Sequence, residues 1–123
     1  MNAADAHAFV SLEYNYTPPL PLSNALNYLY KEWNSKLGGI VSHRGVTGGV
    51  RSALVEKIML TTLKMMPMVE SVAMQNVATH IDANNNFLPD EHHLHGAELL
   101  LNKLYKWAQA LKTMRKWASQ ALA

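Results

Sequence analysis

Cysteine is absent from the 123 residues of this chain. Disulfides and thiolate chemistry are therefore excluded, which fits a cytoplasmic protein. Long apolar runs are also missing. None approaches the roughly 18 residues of a membrane span, so no membrane partner is expected. The opening residues Met1-Asn2-Ala3-Ala4-Asp5 lack the basic stretch and apolar core of a signal peptide. Charge of one sign is scarce, since 11 basic and 9 acidic residues leave a net charge of +2. The basic residues are spread along the chain except near its C-terminal end, so no nucleic-acid partner is expected. There is no internal repeat and no low-complexity segment. No Ser-His-Asp pattern, catalytic carboxylate pair or Walker-type loop is present, so no general acid or base is nominated.

Apolar residues make up 49% of the chain, a globular composition. The length suits one domain over residues 1–123. The run from Ala6 to Leu12 reads as a buried strand that opens into a polar, aromatic loop. Pro18, Pro19 and Pro21 keep the next stretch extended and mark the approach to a helix. Apolar residues at Leu22, Ala25, Leu26, Leu29, Tyr30 and Trp33 predict that helix from about Leu22 to Trp33. A second strand is expected from Leu37 to Ser42. Its glycines, Gly38 and Gly39, weaken a strand but permit close approach of a neighbour.

The loop from His43 to Gly49 leads to a second helix, expected from Gly49 to Met65. Its apolar face reads as Leu54, Val55, Ile58, Met59, Thr62, Leu63 and Met66, with Pro67 as its stop. A third strand is expected over Val69–Met74, and a long loop over Gln75–Pro89. Asp90 is a good N-cap for a third helix reaching about Ser119. Its predicted stripe is Leu94, Ala97, Leu101, Leu104, Ala108 and Leu111, widened by Leu100, Trp107 and Met114. The basic residues near its end, Lys112, Arg115 and Lys116, read as a solvated helix terminus. Strands alternating with helices imply a parallel sheet covered by helices, an α/β fold.

Two motifs carry a family resemblance. The first is Glu13-Tyr14-Asn15-Tyr16 followed by Pro21-Leu22-x-Asn24-Ala25-Leu26-x-Tyr28-Leu29. The second is Ile40-Val41-Ser42-x-x-Gly45-Val46-x-Gly48-Gly49-x-Arg51. Together they resemble the NADPH-dependent FMN reductases, a flavodoxin-like family that includes quinone, azo-dye and chromate reductases. The resemblance runs from about Ala4 to about Ala110 and matches the later part of the family pattern. It implies a flavodoxin-like, parallel three-layer α/β/α fold, truncated to the family's strands 3, 4 and 5. The family's Ser- and Arg-rich phosphate loop has no counterpart before Ala3.

The resemblance also implies chemistry. FMN and NADPH would be the cofactors. Hydride would pass from NADPH through FMN to a small acceptor such as a quinone. Leu12, Glu13, Tyr14 and Asn15 would surround the flavin ring and ribityl chain, with Leu12 standing where the family usually has proline. Ser42, His43, Arg44 and Gly45 would lie along the pyrimidine end. Arg44 replaces a family glycine; it could donate to a flavin carbonyl or a nicotinamide phosphate, or crowd the pocket. Gly48-Gly49 could make an anion-friendly helix start. Arg51 could pair with an acidic residue across an interface or lie free on the surface.

A strand left with one open edge invites pairing with another chain, so a homo-oligomer is expected, a dimer or tetramer. The alternative function is a non-enzymatic relative that oligomerises and binds FMN weakly or not at all. His92 and His95 stand three apart on the third helix, with His93 pointing elsewhere. That spacing alone is a weak metal signature, and no metal is expected.

Overall fold

The structure is a computed structural model that describes residues 3–121, with side chains described through residue 117. It contains the expected alternation of elements. They are β1 (Ala6–Leu12), α1 (Leu20–Tyr28), β2 (Leu37–Arg44), α2 (Val50–Thr62), β3 (Met66–Gln75) and α3 (Glu91–Ala121). The strands form a parallel sheet in the order β1-β2-β3. The sheet has β2 at its centre, and among the described residues β1 pairs on one side only. Among the described residues, no helix is long and apolar enough to cross a membrane.

Side chains alternate across each strand, and the two faces build two cores. On one face α1, the turn that follows it and α2 gather Leu26, Trp33, Ile40, Ala53, Leu60, Leu63 and Met65. On the other, α3 covers Leu37, Met68 and Val72 with Leu100, Leu104, Ala108 and Leu111. Full burial of such a side chain contributes about 1.5–3 kcal/mol. Trp33 is the polar exception in its core, and its indole N–H donates to the Leu26 carbonyl at 3.0 Å.

The glycine pair in β2 sets how closely the helices approach. A Cβ on Gly38 would stand 2.6 Å from Leu60 Cδ1 of α2. A Cβ on Gly39 would stand 3.1 Å from Leu100 Cδ1 of α3. Consecutive strand residues face opposite sides, so the pair admits one helix on each face.

Several boundaries differ from the sequence reading, each for a local reason. Helix α1 ends at Tyr28, and residues Lys31–Trp33 form a separate 3-10 turn. Helix α2 stops at Thr62 because Lys64 adopts a left-handed conformation, φ 58°, that reverses the chain. Pro67 is not the stop but part of β3. An edge strand tolerates its missing N–H, and the pairing with β2 shifts register beside it, between Gly38 and Ile40.

The helix faces also differ. Leu54 and Ile58 of α2 are exposed, and the buried positions are Ser52, Ala53, Glu56 and Leu60. On α3, Leu100, Leu104, Ala108 and Leu111 are buried as expected, but Leu94 and Leu101 are exposed and His93 is buried. The basic end of α3 is tied down rather than solvated. Lys112 Nζ reaches Asp5 Oδ2 at 2.8 Å, and Arg115 pairs with Asp5 and donates to the Ser35 carbonyl at 2.8 Å.

Candidate functional site

Three loops leave the carboxyl ends of the strands, the edge where open α/β sheets bind ligands. Backbone hydrogen bonds join them. The Glu13 amide donates to the His43 carbonyl at 3.2 Å, and the Asn76 amide donates to the Gly45 carbonyl at 2.8 Å. The three loops are thereby held as one surface.

The first loop is a tight reversal. Tyr14 and Thr17 exchange backbone hydrogen bonds at 2.9 and 2.8 Å. The two residues between them, Asn15 and Tyr16, both have positive φ, 48° and 68°. That pattern is a type I′ turn. Asparagine adopts it readily, but tyrosine does so at a cost. The turn exposes Tyr14 and Tyr16, and an arginine sits over each ring. The Arg44 guanidinium carbon is 5.6 Å from the Tyr14 ring centre, and that of Arg51 is 3.9 Å from the Tyr16 ring centre. A groove of about 460 Å³ runs beside the turn, between Tyr14, Asn15 and the Pro18–Pro21 stretch.

Glu13 sits beneath the turn and is buried. Its Oε2 accepts the amides of Arg51 and Ser52 at 3.2 and 3.3 Å, and its Oε1 lies 3.2 Å from the Arg51 guanidinium. The carboxylate thus fills the N-terminus of α2, satisfying amides the helix cannot pair and complementing its dipole. Gly48 and Gly49 have φ of 62° and 78° and bring the chain into that helix. The helix start is therefore not an open anion site, because Glu13 already occupies it. Arg51 pairs within the chain, a partner that spacing alone could not reveal.

Ser42 is buried, and its hydroxyl donates to the Gly48 carbonyl at 2.8 Å, closing the second loop from below. A Cβ on Gly45 would meet no atom within 4 Å, so the crest of that loop is open to an approaching ligand. Of the residues singled out from sequence, Tyr14, Asn15, Arg44 and Gly45 lie exposed on this surface. Leu12 and His43 are half-buried at its base, while Glu13 and Ser42 support it from within. Tyr16 was not singled out as a contact residue; its signal was an aromatic residue beside Asn15 in a short polar loop.

Helix α2 carries a second buried carboxylate, Glu56. Glu56 Oε2 accepts the Ser11 hydroxyl at 2.9 Å, and its Oε1 and the Ser52 hydroxyl have no hydrogen-bond partner. Burial raises the Glu56 pKa above its ordinary value, and the Ser11 hydrogen bond opposes that rise. His92 and His95 are exposed on α3.

A sequence model described as NADPH-dependent FMN reductase matches residues 1–79. The chain belongs to this family. An NAD(P)H-dependent FMN reductase of Schizosaccharomyces pombe is 50% identical over 46 residues, 37% of this chain and 23% of that protein. Another, of Saccharomyces cerevisiae, is 37% identical over 65 residues, 53% of this chain and 34% of that protein. The matches thus span a quarter to a third of these curated relatives. Among solved structures, the chain is similar to FerB, a flavoenzyme NAD(P)H:(acceptor) oxidoreductase from Paracoccus denitrificans. The TM-score is 0.66 at 18% identity, covering 91% of this chain and 63% of FerB. That likeness supports the flavodoxin-like fold.

The residues present suit part of an FMN site. Gly45 leaves room for a flat ring to lie against backbone, and the exposed tyrosines and arginines suit a planar, anionic ligand. The amides at the start of α2 cannot take the FMN phosphate, because Glu13 holds them.

Proposed function

We propose that this chain forms the ring-binding half of an NAD(P)H-dependent FMN reductase site. The observation that carries the reading is the joined loop surface with an open crest at Gly45. Bound FMN would supply the redox chemistry, taking hydride from NADPH or NADH and passing electrons to an acceptor such as a quinone. The chain's own groups position and screen. Asn15 and the backbone around Gly45 face the ring, whereas Tyr14 and Tyr16 shield one side of it. Arg44 adds positive charge that favours anionic cofactors, while Arg51 is held by Glu13 over the Tyr16 ring. Glu13 and Ser42 fix the shapes of the two loops that carry these groups.

A second reading, an oligomerising relative that binds FMN weakly, is favoured by the open side of β1. There a largely apolar groove of about 560 Å³ lies among His7, Phe9, Leu22, Leu26, Leu29 and Trp33. Another protein segment seated there would complete the layer beside β1. Titrating FMN into the purified chain, with flavin fluorescence and size-exclusion mass read on the same sample, separates the two readings. Saturable quenching at micromolar FMN supports the reductase site. Absence of quenching by an oligomeric chain supports the second reading.

A further inference from the structure

The loop between β3 and α3 brings together two histidines and an aspartate that the flavin reading does not use. His80 ends a 3-10 turn, Val77–His80; Asp90 precedes α3; and His93 lies in its first turn. One ligand atom from each lies within 4.8 Å of the others. His93 Nδ1 is 3.1 Å from Asp90 Oδ1. The His80 and His93 rings meet edge to face, with centres 4.8 Å apart.

Two facts set this cluster apart from a chance grouping. His93 is buried, at 7% exposure, and its Nδ1 has no hydrogen-bond partner despite the nearby carboxylate. A buried ring nitrogen without a hydrogen bond calls for an explanation, and a ligand shared with the neighbouring Asp90 carboxylate supplies one. The loop that carries His80 is also braced. The Leu88 amide donates to the His80 carbonyl at 2.7 Å, and Asp82 Oδ1 accepts the amides of Asn84 and Asn86. Asp90 is fixed in turn, since its Oδ1 accepts the His93 amide at 2.8 Å.

We propose that His80, Asp90 and His93 form a binding site for a divalent transition metal of the zinc class. Two imidazoles and a carboxylate make a borderline donor set that suits Zn²⁺ and also Co²⁺ or Ni²⁺. Neighbouring ligand atoms around a tetrahedral zinc stand about 3.3 Å apart. The His93–Asp90 pair is already near that spacing, and rotation of the partly exposed His80 ring closes the remainder. Asp90 is 51% exposed, so the fourth position opens to solvent. The ion would clamp the β3–α3 loop onto the start of α3. Because Asn76 of that loop is bonded to Gly45, the clamp also stiffens one border of the flavin surface. The site itself stands independently of the flavin reading.

The test is calorimetric titration of Zn²⁺ into the untagged, metal-stripped full chain, followed by Co²⁺ absorption spectra. One equivalent should bind with micromolar or tighter affinity, raise the melting temperature and give tetrahedral Co²⁺ bands. His80→Gln, at a partly exposed position, should weaken binding by an order of magnitude or more while the apo protein keeps its melting temperature. Asp90→Asn should weaken it too. His92→Ala and His95→Ala should bind as the parent does. No saturable binding, or binding lost with His92 or His95 but kept without His80, would overturn the assignment.

Discussion

The carboxylate of Glu13 lies 3.2 Å from the amide of Arg51, 38 residues further along the chain, and caps a helix that its own strand does not lead into. The link is local in space and remote in sequence. It makes the first loop and the start of α2 a single unit, so a change at either end is felt at the candidate site.

Replacing Glu13 with alanine removes the cap and leaves two amides in a buried setting without a partner. The expected loss is about 1–2 kcal/mol, in line with other N-cap losses. Arg51→Ala should cost less than about 1 kcal/mol, because that side chain is 44% exposed and its ion pair is partly screened. Urea unfolding of the two variants checks the ranking. Equal losses would show that the charge pair, and not the backbone cap, dominates.

Glu56 predicts a pH dependence. Burial raises its folded-state pKa above the ordinary 4.5. Its contribution to stability is therefore fully present below pH 4.5 and is lost as pH rises through the raised value. Glu56→Gln keeps the shape and cannot ionise, so it should stabilise the protein at neutral pH. The advantage should shrink toward zero as pH falls below 4.5. Denaturant midpoints measured across that range would reveal it, and a constant difference at every pH would contradict it.

The β2 glycines predict a graded response. Gly38→Ala drives a methyl into Leu60 and should destabilise by about 1–3 kcal/mol, the usual range for overpacking. Gly39→Ala, with its longer 3.1 Å contact, should cost less. Shortening the opposing side chain, in Gly38→Ala combined with Leu60→Val, should recover part of the loss. Thermal melts of the three variants test the order.

Gly45 separates stability from binding. A methyl there meets nothing within the chain, so Gly45→Ala should leave the melting temperature unchanged. If a flavin ring lies on that crest, the same methyl lifts it away and weakens FMN quenching several-fold. Unchanged FMN affinity would move the ring off this loop.

The alternation of strands and helices was legible because short apolar runs, prolines and an Asp N-cap each act locally. Strand β1 and the start of α3 were read correctly for that reason. The face of α2 was not, and that of α3 only in part: Leu100, Leu104, Ala108 and Leu111 are buried as expected, whereas Leu94 and Leu101 are exposed. A pattern of apolar spacing assigns Leu54 and Ile58 to the core, yet the buried side of α2 carries Ser52 and Glu56, which are polar and satisfied or left open by distant residues. The same limit hid the roles of Glu13 and Ser42. Both sit in motifs that sequence marks as site residues, but their hydrogen bonds go inward to Arg51, Ser52 and Gly48. Lys64 was silent because a left-handed lysine leaves no compositional trace.

The tie between Asp5 and the far end of α3 spans 107 residues to Lys112 and 110 to Arg115. Within this stretch β1 is made before α3, so more than a hundred residues must be added after Asp5 before that clasp can close. Until then the face that α3 will cover stays wet, with Val72 and Leu37 unshielded. During synthesis this apolar strand face therefore stays bare until α3 emerges, and a slow stretch of codons between β3 and α3 would lengthen that exposure.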